Sequence, residues 1–142
     1  MNVPRLFLAA FGAFVAYFAL GALAFTRPTM KNEFRKYPAV YRSEEGIKSV
    51  MPAGMAAMFV AMLALAVLYA GLSPSGSGIA AGARFGALIG VFAVCSFVVH
   101  NHVNLNIGVA LTVQQGVAYF VEWLAVGIVI GLLYRPAIAP AS

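Results

Sequence analysis

The sequence predicts an all-α protein, an integral membrane bundle of four transmembrane helices forming one domain over residues 1–142, and three observations carry that prediction. First, 63% of the 142 residues are hydrophobic and only 9% are charged, whereas a soluble domain carries roughly 45–50% apolar and about 25% charged residues. Too few charges are present to cover a water-facing surface. Mean hydropathy is correspondingly high, at +0.92. Second, the apolar residues are gathered into four runs, about 6–25, 51–72, 79–99 and 107–134. Each is close to or longer than the roughly 20 residues that a helix needs to cross about 30 Å of hydrocarbon. Third, small residues recur at helical spacing inside the last two runs. In lipid, helices gain little from burying apolar surface against one another, so close backbone approach has to hold them together.

The first run follows Arg5 and ends near Ala22-Leu23-Ala24, which resembles a secretory signal with a small-residue cleavage site. We expect it to be retained as a span, four being the economical count. The segment after it, 27–48, is the one substantial polar stretch and mixes Arg27, Lys31, Arg35, Lys36, Arg42 and Lys48 with Phe34, Tyr37 and Tyr41. Such a mixture suits a short interfacial helix with its rings at headgroup level, or else a solvated loop. The net charge of +5 is explained by this loop lying against anionic lipid, so nucleic acid is not an expected partner. Between the second and third runs, Ser73-Pro74-Ser75-Gly76-Ser77-Gly78 is an uncharged turn. So short a link predicts that those two spans pack as antiparallel neighbours.

Span three carries Gly82, Gly86 and Gly90, and span four Gly127 and Gly131. Steps of four residues put each set on one helix face, and both faces are expected to contact another helix of this chain or of a second copy. Span two carries Met51, Met55, Met58 and Met62 on one face. Thioethers there, with Cys95, His100 and His102, could in principle serve Cu(I). A deformable filler of helix contacts is the more economical reading, and Met55, Met58, His100 and His102 stay weak metal candidates. Cys95 has no second cysteine to pair with, so cysteine usage does not fix the redox compartment.

Two clusters could carry function. Around the end of span three, His100, Asn101, His102, Asn104 and Asn106 crowd into seven residues. Both histidines could bind one ion only on extended backbone, since two residues on a helix lie about 200° apart. Capping of the span by Asn104 and its neighbours is the simpler role. In span four, Thr112, Gln115, Tyr119 and Glu122 share one helical face. Glu122 is the only acid outside the basic loop, and near mid-bilayer it has to face the bundle, find a partner or carry a proton. Residues at its depth on span three are apolar, so a partner is expected on span one, where Tyr17 is the central polar residue, or in a ligand or second subunit.

There is no nucleophile with a recognisable base, no phosphate-cradling glycine loop and no zinc spacing. No cofactor is implied. The expected function is therefore a non-enzymatic membrane protein, either a subunit of a membrane assembly or a binder of lipid or an apolar small molecule. A small oligomeric transporter or proton-linked carrier using Glu122 and the His100/His102 cluster is the alternative, and a membrane enzyme comes third. Partners would be membrane lipids and a homo-oligomer or larger complex. The pattern of four short-linked spans resembles many small proteins of the bacterial inner membrane.

Six of the nine Lys and Arg lie on the side holding 27–48, against Arg5, Arg84 and Arg135 on the other. Basic residues favour the cytoplasmic side, which predicts a cytoplasmic loop and both termini outside. A cysteine replacing Ser43 should thus resist an impermeant thiol reagent in intact cells and react once the cells are opened; labelling of intact cells would reverse the orientation.

Overall fold

The computed structural model describes residues 2–72 and 78–134. Among them every regular element is helical. In chain order these are α1 (Val3–Phe25), α2 (Pro28–Arg35), α3 (Glu44–Leu72), α4 (Ile79–Ala93), a π-helical segment (Val94–Val99), α5 (His100–Asn104) and α6 (Val109–Leu133). Helix α4, the π segment and α5 run on as one rod over Ile79–Asn104, and this rod, α1, α3 and α6 are the four elements long and apolar enough to cross a membrane. The chain is a four-span membrane bundle.

Local chemistry explains the helix ends. The Asn2 side chain accepts from the Arg5 backbone N–H at 3.3 Å, capping α1. Helix α2 starts at Pro28, whose fixed φ suits a first helical turn and whose missing N–H would have gone unused. It stops just before Tyr37-Pro38, because a residue preceding proline disfavours the helical conformation. Of the two readings for the basic segment, then, the short helix is present over Pro28–Arg35, with Met30 buried against the bundle. Helix α3 begins seven residues before the apolar run. Ser43 caps it by accepting from the Gly46 N–H at 3.2 Å, and Glu44 and Glu45 in its first turn complement the helix dipole.

Helix α6 is the hub, packing along α4 on one side and α1 on the other. Against α4 the glycines meet backbone to backbone. A Cβ on Gly131 would sit 2.7 Å from the Gly82 Cα, one on Gly82 would clash with the Gly127 carbonyl, and one on Gly86 would lie 2.7 Å from the Trp123 and Leu124 carbonyl oxygens. Gly90 faces the Phe120 ring instead. The partner of both glycine faces is accordingly found within this chain. At the end of the seam the Gly78 N–H donates to the Gly131 carbonyl at 2.7 Å, with Gly78 at φ 111°, a conformation that favours glycine.

Two expectations need correction. Spans two and three are not packed neighbours: α3 packs on α1, and it meets α4 near one end through the Tyr69 and Phe85 rings, 5.2 Å apart. The glycine face of α4 is occupied by α6, and α3 packs mainly on α1. The link expected to enforce that pairing, residues 73–77, lies outside the described residues, as do Arg135 and Pro136 beyond span four. The methionine stripe is likewise not a uniform contact face. Residues 47–57 of α3 are all exposed, so Met51 and Met55 face lipid, Met58 is half-buried and Met62 fully buried. The core at that end is built from Leu6, Ala9, Ala10 and Ala13 of α1 against Met62, Ala66 and Tyr69 of α3 and Ile130 of α6.

Filling the seam should be costly. Gly86→Leu is expected to destabilise the bundle by about 3 kcal/mol or more, at or above the upper end of overpacking costs, because both obstacles are backbone carbonyls. At Gly71 a Cβ meets nothing within 4 Å, so Gly71→Leu should leave the detergent melting temperature unchanged. Equal melting of the two variants would refute the seam.

Candidate functional site

The loop side of the bundle gathers the polar residues. Helix α2 and the turn after it fold back over the start of α6, where Met30, Ile107, Leu111 and Ala118 form a second small core flanked by Phe25, Phe34, Tyr37 and Tyr41. The Tyr37 hydroxyl accepts from the Gly108 N–H at 2.9 Å, satisfying one of the amides left open at the helix start. Tyr41 lies lower, its hydroxyl 3.5 Å from Gln115 Nε2. These tyrosines, read from sequence as rings at headgroup level, also tie the loop to α6. Their spacing of four residues was visible, but no feature of the sequence announced a docking partner some seventy positions away.

The histidine and asparagine cluster is helical to Asn104, so the extended backbone that would aim His100 and His102 at one ion is not there. His100 is exposed. His102 lies across the turn from Thr112, its Nδ1 3.0 Å from the hydroxyl, and Thr112 also donates to the Gly108 carbonyl at 3.1 Å. Asn104 donates to the His100 carbonyl at 2.9 Å, in the capping role expected of it. No group of three or more His, Cys, Asp or Glu side chains placed to hold a metal occurs among the described residues.

Gln115, Tyr119 and Glu122 continue from Thr112 down one face of α6 toward α1. Glu122 is 1% exposed and lies against α1 at Gly21, where an added Cβ would sit 3.5 Å from Oε1. The hydroxyls of Tyr17 and Tyr119 pair with each other beside it. Neither carboxylate oxygen has a hydrogen-bond partner among the described residues, and neither does the buried Trp123 Nε1. Glu122 is ten residues from Thr112, roughly 15 Å along a helix. The histidines and the acid therefore do not share one site. Gly21, absent from any motif in the sequence, provides the space that admits the carboxyl group.

A cavity of about 760 Å³ opens between the end of α1, α2 and the start of α3. Phe25, Phe34, Val40, Tyr41 and Ile47 wall it, and Lys31, Arg35 and Arg42 stand at its rim. Phe34 and Tyr41 meet edge to face at 4.7 Å, and Phe25 meets Tyr119 edge to face at 5.9 Å. Lys31 is 3.6 Å from Glu44, while Lys36, outside the cavity, holds Glu33 at 2.6 Å. Its hydrogen bond to Glu33 raises the Lys36 pKa above the ordinary lysine value. Arg35 and Arg42 are in no ion pair among the described residues. A second, smaller hollow of about 350 Å³ lies beside the π segment between Val94, Cys95, Gly116 and Phe120. It offers apolar surface with nothing to orient a ligand.

Comparisons of the chain with known protein families, with curated proteins and with solved structures find no match.

The tie between loop and bundle is open to a direct check. Tyr37→Phe should cost about 1 kcal/mol by stranding the Gly108 N–H, and Gly108→Ala should cost a similar amount because its Cβ would fall 2.5 Å from the Tyr37 hydroxyl. Since both remove one contact, the double variant should be little worse than either single one in thermal unfolding. Additive losses would mean that the contact is absent.

Proposed function

We propose that this protein is a non-enzymatic membrane protein that binds an anionic amphiphile, a phospholipid or an apolar small molecule with an acidic headgroup, in the cavity between α1, α2 and α3. The observation that carries this reading is the pairing of an aromatic and aliphatic wall with two arginines, Arg35 and Arg42, that no acid among the described residues neutralises. Guanidinium groups at the headgroup boundary hold phosphate or carboxylate in paired hydrogen bonds, and the ring wall suits the start of an acyl chain. The volume also falls in the usual range for ligand sites, about 300–1,000 Å³. The lone acid at the rim, Glu44, is already engaged by Lys31, so it does not repel an anion strongly. The setting we infer is a bacterial inner membrane with the cavity opening on the cytoplasmic side, as the bias of basic residues supports. A larger assembly or homo-oligomer fits the same reading, with the exposed half of α3 available to a partner span.

A second reading, a small proton-linked carrier, is supported by one observation, the buried Glu122 with both oxygens unpartnered. The histidine cluster does not add to it, being far from the acid.

Native mass spectrometry of the detergent-purified protein should find an anionic lipid or acidic amphiphile bound at one per chain. Arg35→Ala/Arg42→Ala should lose it, since two interfacial arginines contribute about 2 kcal/mol together, roughly thirtyfold in affinity. Arg27→Ala/Lys48→Ala removes the same charge outside the cavity and should retain the ligand. Equal loss in both variants would reduce the site to general loop electrostatics.

A further inference from the structure

Glu122 is the one charged-type residue buried in the bundle. An ionised carboxylate in that position would lack both water and a hydrogen-bond donor, each costly in hydrocarbon. The groups that face it are few. From α1 come Gly21 and Tyr17, and from its own helix Tyr119. The glycine face of α4 lies on the other side of α6, Gly86 against Trp123 and Leu124 and Gly90 against Phe120, and α3 contributes apolar side chains such as Met58 and Met62 to the core. No Lys, Arg or His pairs with Glu122 among the described residues. Arg84 of α4 is exposed and on another face. The carboxyl group is thus buried with no charged neighbour and no hydrogen-bond partner among the described residues.

A polar route nonetheless leads to it. Tyr119 lies three residues before Glu122 and Gln115 four before Tyr119, which sets consecutive Cβ atoms about 5–6 Å apart on one helix face. Gln115 in turn reaches the Tyr41 hydroxyl, 3.5 Å away, and Tyr41 borders the cavity that opens at the loop side. Polar side chains therefore line one face of α6 from the interface to the acid. A purely structural hydrogen-bonder would have a partner at its end; Glu122 has none among the described residues.

We propose that Glu122 is a proton-binding site, held as the neutral acid at rest, which exchanges its proton with the loop side along Tyr119, Gln115 and Tyr41. Water entering from the loop side along this polar face carries the proton: on release the carboxyl O–H bond breaks as a hydronium O–H bond forms, and on binding the reverse occurs. Tyr119, Gln115 and Tyr41 order the water while keeping their own protons. Proton binding at Glu122 requires no occupant in the cavity.

The test uses the full-length protein in liposomes, uniformly labelled with 13C-glutamate, observed by infrared spectroscopy. The chain has no aspartate, and its other three acids, Glu33, Glu44 and Glu45, lie in the loop. A labelled carboxylic acid C=O band at neutral pH is expected, shifting promptly on transfer to D2O and absent in Glu122→Gln. Because Glu122→Gln could fold poorly, the wild-type band and its exchange stand as the primary readout. Gln115→Leu should leave the band in place and slow its exchange by at least about tenfold, the scale on which a lost group in a proton-transfer path acts. Only ionised glutamate at neutral pH would overturn the proton site. A band that never exchanges, or that exchanges equally fast in Gln115→Leu, would overturn the route.

Discussion

Backbone contact between α4 and α6 is the constraint on which the rest of the molecule depends. With lipid as solvent, burying a leucine between helices gains little over leaving it in acyl chains, so association rests on packing and on how closely two backbones can approach. Gly82 and Gly86 against Gly127 and Gly131 permit an approach that a single methyl group would block. That seam also fixes the rotation of α6. At about 100° per residue, Glu122 lies roughly 140° from Gly127 and 180° from Gly131 around the helix. Once the glycines are turned to α4, the acid must face the other way, and α1 is there to cover it. The glycine spacing of one face thereby decides the environment of the carboxyl group on the opposite one.

The contact between α1 and α6 changes character along its length. Near the start of α1 the small residues Ala9, Ala10 and Ala13 are fully buried, and a Cβ on Gly12 would strike the Leu133 side chain. That end is tightly filled and apolar. Toward the loop side the residues facing α6 become Tyr17, Gly21 and Phe25, which admit polar and aromatic groups of α6 between the helices. Stability is concentrated at one end of the bundle and polar chemistry at the other. The divergence of α3 follows the same division, since its exposed half lies on the polar side, and Pro52 falls within that half, where a helix lacks one hydrogen bond and bends most readily.

The spans were legible because hydropathy and length report directly on the solvent, and the shared face of Thr112, Gln115, Tyr119 and Glu122 because helical periodicity is a local property. Glycine spacing identified two packing faces, yet not that they pack on each other, since any smooth face satisfies the same rule. Pairing of α3 with α4 was inferred from a short link, and chain connectivity proved weaker than the glycine seam. The folding of Tyr37 and Tyr41 onto α6 was not legible at all. It depends on where Gly108 and Gln115 end up in space, and an aromatic residue in a basic loop looks the same whether it meets a headgroup or an amide. The cavity escaped notice for the same reason, being assembled from three elements that have no common sequence pattern.

One side chain joins the two polar features. Phe25, the last residue of α1, lines the cavity and also meets Tyr119 edge to face, 5.9 Å between ring centres. It also meets Phe34 of α2 at 6.0 Å, so its position is set jointly by α2, α6 and the volume left open between them. An aromatic ring in close-packed surroundings has few alternative places, because interiors resist even small changes in volume. An occupant of the cavity that presses on Phe25 must therefore press on Tyr119, whose hydroxyl is paired with Tyr17 beside the buried acid. The interfacial cavity and the mid-membrane carboxyl group are accordingly two ends of one packed unit, joined through the rings of Phe25 and Tyr119.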